Sequence, residues 1–85
     1  MSQNFADRQR AHDAADVSLR LVFGDEYVML SSAEMLAVRT DFLRFFDTQY
    51  ADGKTGTASA YRDRIGKGNL QSYARALPGY TGDQP

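Results

Sequence analysis

Val17-Ser18-Leu19-Arg20-Leu21-Val22-Phe23-Gly24-Asp25-Glu26-Tyr27-Val28-Met29-Leu30 opens with apolar residues at every second position, 17, 19, 21 and 23, with Ser18 and Arg20 between them. That alternation is the period-2 signature of a half-buried strand. Gly24-Asp25 suits a two-residue type II′ turn, with glycine supplying the positive φ at its first position, and residues 26–30 return as a second strand. In this register Leu21 faces Val28 and Leu19 faces Leu30, so these four residues share one face of a hairpin. The opposite face carries Arg20, Val22, Tyr27 and Met29, which is too apolar to stand in water. With Asp25 and Glu26 at the turn, that face is the candidate surface for a protein partner.

The next segment has the start and stripe of a long helix. Ser31-Ser32-Ala33-Glu34 has the spacing of a capping box, in which serine accepts from the third helical amide and glutamate reaches back to the cap. Beyond it Leu36, Val38, Phe42, Leu43, Phe45, Phe46 and Tyr50 recur at spacings of three, four and seven, opposite Arg39, Asp41, Arg44 and Asp47. Each such side chain contributes roughly 1.5 to 3 kcal/mol when buried, so this helix against the hairpin is the expected core, and Phe42→Ala is expected among the most destabilising changes.

Residues 1–16 have helix-compatible composition but one large apolar side chain, Phe5, so they form an arm or marginal helix with little to bury. Asp52-Gly53-Lys54-Thr55-Gly56 supplies turn geometry and no packing, a loop. A short helix runs from Thr57 to Arg64, with Tyr61 and Ile65 inward and Gly66 as its stop. Asn69 starts a last helix in which Leu70, Tyr73, Ala74 and Leu77 fall at i, i+3, i+4 and i+7 before Pro78-Gly79 ends it. The expected architecture is therefore α+β: a weak N-terminal helix over residues 1–16, a compact domain over 17–79 with a β-hairpin packed on one long amphipathic helix and two short C-terminal helices, and a loose tail over 80–85.

Eighty-five residues make one small domain, and a 42% hydrophobic fraction exceeds what a disordered chain carries. Zero cysteines exclude a disulfide scaffold, a thiol nucleophile and Cys-ligated zinc or iron-sulfur sites. No apolar run approaches the roughly 20 residues of a membrane helix, and the polar N-terminus has no signal-peptide h-region, so a cytoplasmic protein without membrane association is expected. The charge is uneven: residues 1–52 hold nine acids and five arginines, residues 53–85 five bases and two acids. Lys54, Arg62, Arg64, Lys67 and Arg75, interleaved with Tyr61, Tyr73 and Tyr80, make the candidate anion or nucleic-acid contact.

The chemistry-bearing motifs are thin. Gly53-Lys54-Thr55-Gly56 lacks the earlier glycine of a phosphate-binding loop, since position 48 is Thr48, and a helix rather than a strand precedes it. Gly66-Lys67-Gly68-Asn69 could expose amides to an anion beside Arg62 and Arg64, or simply punctuate two helices. His12 is the single histidine, and nearby Asp7, Asp13 and Asp16 lack calcium-loop spacing, so no metal site, cofactor or catalytic residue is assigned. Phe45 and Phe46 belong to the core by helical spacing, leaving Tyr27, Tyr61, Tyr73 and Tyr80 as surface aromatics.

Two functions compete on this basis. One is a non-catalytic protein-protein interaction module: an adaptor, an assembly component or an inhibitor of a larger complex, able to pair with a second copy through an edge strand or the second hairpin face. Its acidic first half could present carboxylates where phosphates sit and so block a nucleic-acid-binding host protein, in the manner of phage-encoded inhibitors. The other is a small nucleic-acid-binding module using the basic C-terminal half, with residues 58–65 and 70–77 as a helix-turn-helix.

Overall fold

A computed structural model describes the backbone of residues 5–51 and 57–82, and the side chains of 7–49 and 57–82. The expected hairpin is absent. All regular structure among the described residues is helical: α1 (Phe5–Phe23), α2 (Asp25–Val28), α3 (Ser32–Ala51), α4 (Thr57–Ile65) and α5 (Leu70–Ala76). The fold is all-α rather than α+β. The described residues contain no strand and so no sheet edge, and the edge-strand route to a second copy falls with the hairpin.

The physical reason lies in the spacing itself. Four apolar residues at every second position contain two i, i+4 pairs, 17/21 and 19/23, and on a helix these lie on roughly opposite sides. The structure sends one pair in and one out: Leu19 and Phe23 are buried in line with Ala15, whereas Val17 and Leu21 are exposed. Ala15 extends the inward stripe by one turn toward the N-terminus, and a helix running unbroken across residues 16 and 17 joins the helix-compatible arm to the segment read as a strand. Gly24 does adopt the positive φ expected of the turn, with φ 61° and ψ −128°, but the chain on both sides of it is helical. Its N–H donates to the Arg20 carbonyl at the end of α1, and its own carbonyl accepts from Tyr27 and Val28 at the start of α2. The face assignment changes with the fold: Leu30 is buried, Val28 is half-exposed, and Tyr27, expected on the surface, is fully buried.

α3 begins as its cap spacing demands. The Ser31 N–H donates to Glu34 Oε1 at 2.9 Å and the Glu34 N–H to Ser31 Oγ at 3.2 Å, a reciprocal capping box. Val38 and Phe42 are buried, with Met35, Leu43 and Phe45 packed beside them. Leu36 and Phe46 instead face outward, and Arg39 and Asp41, expected on the polar side, reach inward to form bonds with other helices. α3 packs on α1, α4 and α5, and α1 also meets α2 and α4.

Tyr61 of α4 is the aromatic hub; it lies fully buried beside Ile65, as its inward place on that helix predicts, and is not one of the surface aromatics. Its ring meets Phe23 at 6.3 Å, Phe42 at 5.1 Å, Phe45 at 5.3 Å and Tyr73 at 6.1 Å between centroids, distances at which tilted and edge-on pairs attract. The Tyr61 and Tyr73 hydroxyls both donate to Asp41 Oδ2, at 2.8 and 2.6 Å. A second carboxylate ties α5 to the start of α3: buried Glu34 accepts from Gln71 Nε2 and, at 2.5 Å, from Arg75 Nε. The α4–α5 connection follows its sequence signals. Gly66 stops α4 at φ 88°, and Gly68 turns at φ 80°. Asn69 precedes α5 but caps backwards, its Nδ2 donating to the Ile65 carbonyl at 3.1 Å.

Candidate functional site

The corner between α1 and α2 divides the expected partner surface into two flanks. Arg20 and Tyr27 turn to one side, Val22, Glu26 and Met29 to the other, and Asp25 stands exposed in the first turn of α2. On the first flank the side chains satisfy one another. The Tyr27 hydroxyl donates to Asp16 Oδ1 at 2.7 Å, while Arg20 Nε donates to Asp16 Oδ2 at 2.7 Å and its guanidinium lies over the Tyr27 ring. Arg39 of α3 completes the group, donating through Nε to His12 Nδ1 at 3.2 Å and through its terminal nitrogen to the Tyr27 hydroxyl at 3.4 Å.

These contacts set the local titration. The Arg20 guanidinium and then the Tyr27 hydroxyl hold the Asp16 carboxyl below the usual carboxylate range. Burial, reinforced by the hydrogen bond to Asp16, raises the Tyr27 phenol, and burial followed by the charge of Arg39 lowers His12. The network joins three helices; within it Tyr27 is fully buried and so lies off the surface, whereas Arg20 keeps an exposed side chain.

The second flank is open. A cavity of about 500 Å³ lies where the ends of α1 and α4 converge, lined by Val22, Phe23, Glu26, Arg62, Asp63, Gly66 and Lys67. A smaller one of about 240 Å³, lined by Glu26, Met29, Leu30, Gly68 and Gln71, adjoins it through Glu26. The two together, hereafter the groove, mix apolar Val22, Phe23, Met29 and Leu30 with charged Glu26, Arg62, Asp63 and Lys67 in their lining. Lys67 is held in this lining between Gly66 and Gly68, both at positive φ, which L-residues with a Cβ rarely adopt. Among the described residues the side chains of Glu26 and Lys67 form no hydrogen bond or ion pair.

Of the five cations expected to act together, the structure describes four. Arg75 is committed to Glu34 and Arg64 lies over the Phe45 ring. Lys54 lies outside the described residues. Arg62 reaches only its neighbour Asp63, at 3.5 Å, and joins Lys67 in the groove. So the structure unites part of each sequence-derived set, Val22 and Glu26 with Arg62 and Lys67, on one cavity, and places Met29 on the one that shares Glu26 with it. No sequence signal could have shown this, because it depends on α4 packing against α1. Among the described residues no group of His, Cys, Asp or Glu is placed to hold a metal ion, and no helix is long and apolar enough to cross a membrane. Comparison with protein-family models, curated proteins and solved structures gave no match.

Proposed function

We propose that this chain is a non-catalytic protein-binding module of the cytoplasm, an adaptor or inhibitor that receives a segment of a larger protein in the groove between the α1–α2 corner and the α4–α5 turn. The observation that carries this reading is the pair Glu26 and Lys67, opposite charges without partners among the described residues, which line one cavity together with Val22 and Phe23. Charges arranged this way favour a partner that presents an apolar side chain toward Val22 and Phe23, flanked by a base toward Glu26 and an acid toward Lys67. The single histidine is engaged by Arg39 outside the groove, which speaks against general acid/base work there. Nucleic acid is the weaker alternative: among the described residues, Arg62 and Lys67 are the expected cations that line one cavity, fewer than the roughly 6 to 10 phosphate contacts of a typical salt-sensitive binder.

A photo-crosslinking residue placed at Met29 or at Lys67, with Arg44 on the exposed side of α3 as the control position, tests this in the native host. Adducts with one protein are expected from the groove positions alone, and are expected to disappear when Glu26→Lys is added to the Lys67 probe. Adducts equally strong from position 44, or none from the groove, would overturn the proposal. Saturable, steeply salt-dependent binding of labelled DNA or RNA by the purified chain would replace it with the nucleic-acid reading.

A further inference from the structure

His12 belongs to a hydrogen-bond relay that crosses three helices. His12, Asp16 and Arg20 occupy one stripe of α1 at i, i+4 and i+8, and the chain of donors runs from Arg39 to Tyr27 to Asp16, with a separate branch from Arg39 to His12. A guanidinium has donors and no acceptor, so the bond from Arg39 Nε requires a lone pair on His12 Nδ1, and the ring proton sits on Nε2. We propose that the His12–Arg39 contact is a pH-operated latch between α1 and α3, closed while His12 is neutral and released when it takes up a proton. Protonation places an N–H on Nδ1 facing the Arg39 Nε–H, so the bond is lost and two positive charges are left in contact.

The groups around the ring set the sign. On α1, Arg8 lies one turn before His12, Asp13 beside it and Asp16 one turn after. Arg39 faces it from α3, and Tyr27 of α2 bridges Arg39 and Asp16. α4, the third helix against α1, brings Arg62 and Asp63 to Val22 and Phe23 at the other end of that helix. Asp13 favours the protonated ring, but burial and the Arg39 charge outweigh it and hold His12 below its ordinary value. The Asp16–Tyr27 and Asp16–Arg20 bonds do not use His12, so release loosens the first turns of α1 while its second half stays packed. The latch holds whatever occupies the groove.

Amide hydrogen exchange of the full chain at about pH 7.5 and about pH 5, corrected for the intrinsic pH dependence of exchange, reads the latch directly. Amides of the first half of α1 are expected to lose protection as pH falls below about 6.5, while those of α3 and α5 keep theirs. His12→Asn places a carbonyl oxygen near the position of Nδ1 and does not titrate, so its α1 protection is expected to stay constant over the same range. Unchanged protection in the wild type, or the same loss in His12→Asn, would overturn the proposal. Should His12→Asn fail to fold, the ring-proton resonances of wild-type His12 decide it: a titration midpoint at or above about 6.5 overturns the latch as well.

Discussion

Glu34 and Asp41 lie on the same helix, two turns apart, and both pin α3 to the C-terminal helices, yet they do so by opposite chemistry. Glu34 is enclosed by donors that include a charged one: the Ser31 N–H, the Gln71 amide and the Arg75 guanidinium. Asp41 accepts from two neutral phenols on a single oxygen. At Glu34 burial alone would raise the carboxyl, and the Ser31, Arg75 and Gln71 bonds outweigh it and bring it below the ordinary value. At the other site the change appears on the partners. Burial and then the bond to Asp41 push the Tyr61 and Tyr73 phenols upward. One helix thus carries an ion pair at its start and, in its middle, a carboxylate held by two neutral aromatic donors. The first depends on charge, and the second on shape.

Tyr61→Ala is the sharpest way to break that contrast. It removes the ring that meets Phe23, Phe42, Phe45 and Tyr73 and should cost about 3–5 kcal/mol, a large part of the roughly 5–15 kcal/mol that holds a small domain folded. Tyr61→Phe keeps the ring and leaves Asp41 with Tyr73, so it should cost about 1 kcal/mol. Urea denaturation of both variants tests this, and equal losses would mean that the hydroxyl rather than the ring carries the site.

Neutralising each carboxylate comes next in size. In Glu34→Gln one oxygen becomes an amide NH2 that must face either the Ser31 N–H or the Arg75 Nε, and the loss should be about 2–3 kcal/mol. Asp41→Asn can keep its oxygen where both phenols donate, with a cost of about 1 kcal/mol or less. A midpoint shift in urea with unchanged slope gives each value. If Asp41→Asn proves the costlier, the contrast between charged donors at Glu34 and neutral donors at Asp41 does not set the cost.

The same contrast should appear as two pH limits. Glu34 has a folded-state pKa below its unfolded one, so its contribution is complete above about 4.5 and is lost as pH falls through that value toward the folded pKa. Tyr61 and Tyr73 have raised folded pKa values, so their contribution is complete below about 10 and is lost as pH rises beyond it. Asp16 adds to the acid limb and Tyr27 to the alkaline one, and lowered His12 adds a separate loss below about 6.5. Stability measured across pH should therefore lose part of its acid slope in Glu34→Gln and part of its alkaline slope in Tyr61→Phe. A variant that flattens the opposite limb would contradict the assignment.

How much of this was legible depends on the range of each interaction. The capping box of Ser31 and Glu34, the stop at Gly66 and the stripe of Leu70, Tyr73, Ala74 and Leu77 are local, and each appears where its spacing puts it. The second role of Glu34 needs Arg75, and that of Asp41 needs Tyr61 and Tyr73, partners 20 to 41 positions away that no local pattern announces. The groove is invisible for the same reason, since Glu26 and Lys67 line one cavity only once α4 lies against α1. Phe45 and Phe46 show the limit on one helix: adjacent residues point about 100° apart, and only Phe45 turns inward.

Residues 17–23 failed for a different reason, because a seven-residue alternation cannot tell a strand from a helix that buries every second member. Leu19 and Leu21 separate the two. In a hairpin both would lie on the packed face, and truncating either would cost a similar amount. In the helix Leu19 is fully buried whereas Leu21 is 80% exposed. Leu21→Gln should therefore change stability by no more than about 0.5 kcal/mol, the smallest effect expected here, while Leu19→Ala should cost about 2–5 kcal/mol. Glutamine is also a better helix former than a strand former, so α1 has no reason to weaken. A large loss in Leu21→Gln would mean that the outer stripe of Val17 and Leu21 is covered in solution, and a concentration-dependent loss would identify the cover as a second copy of the chain.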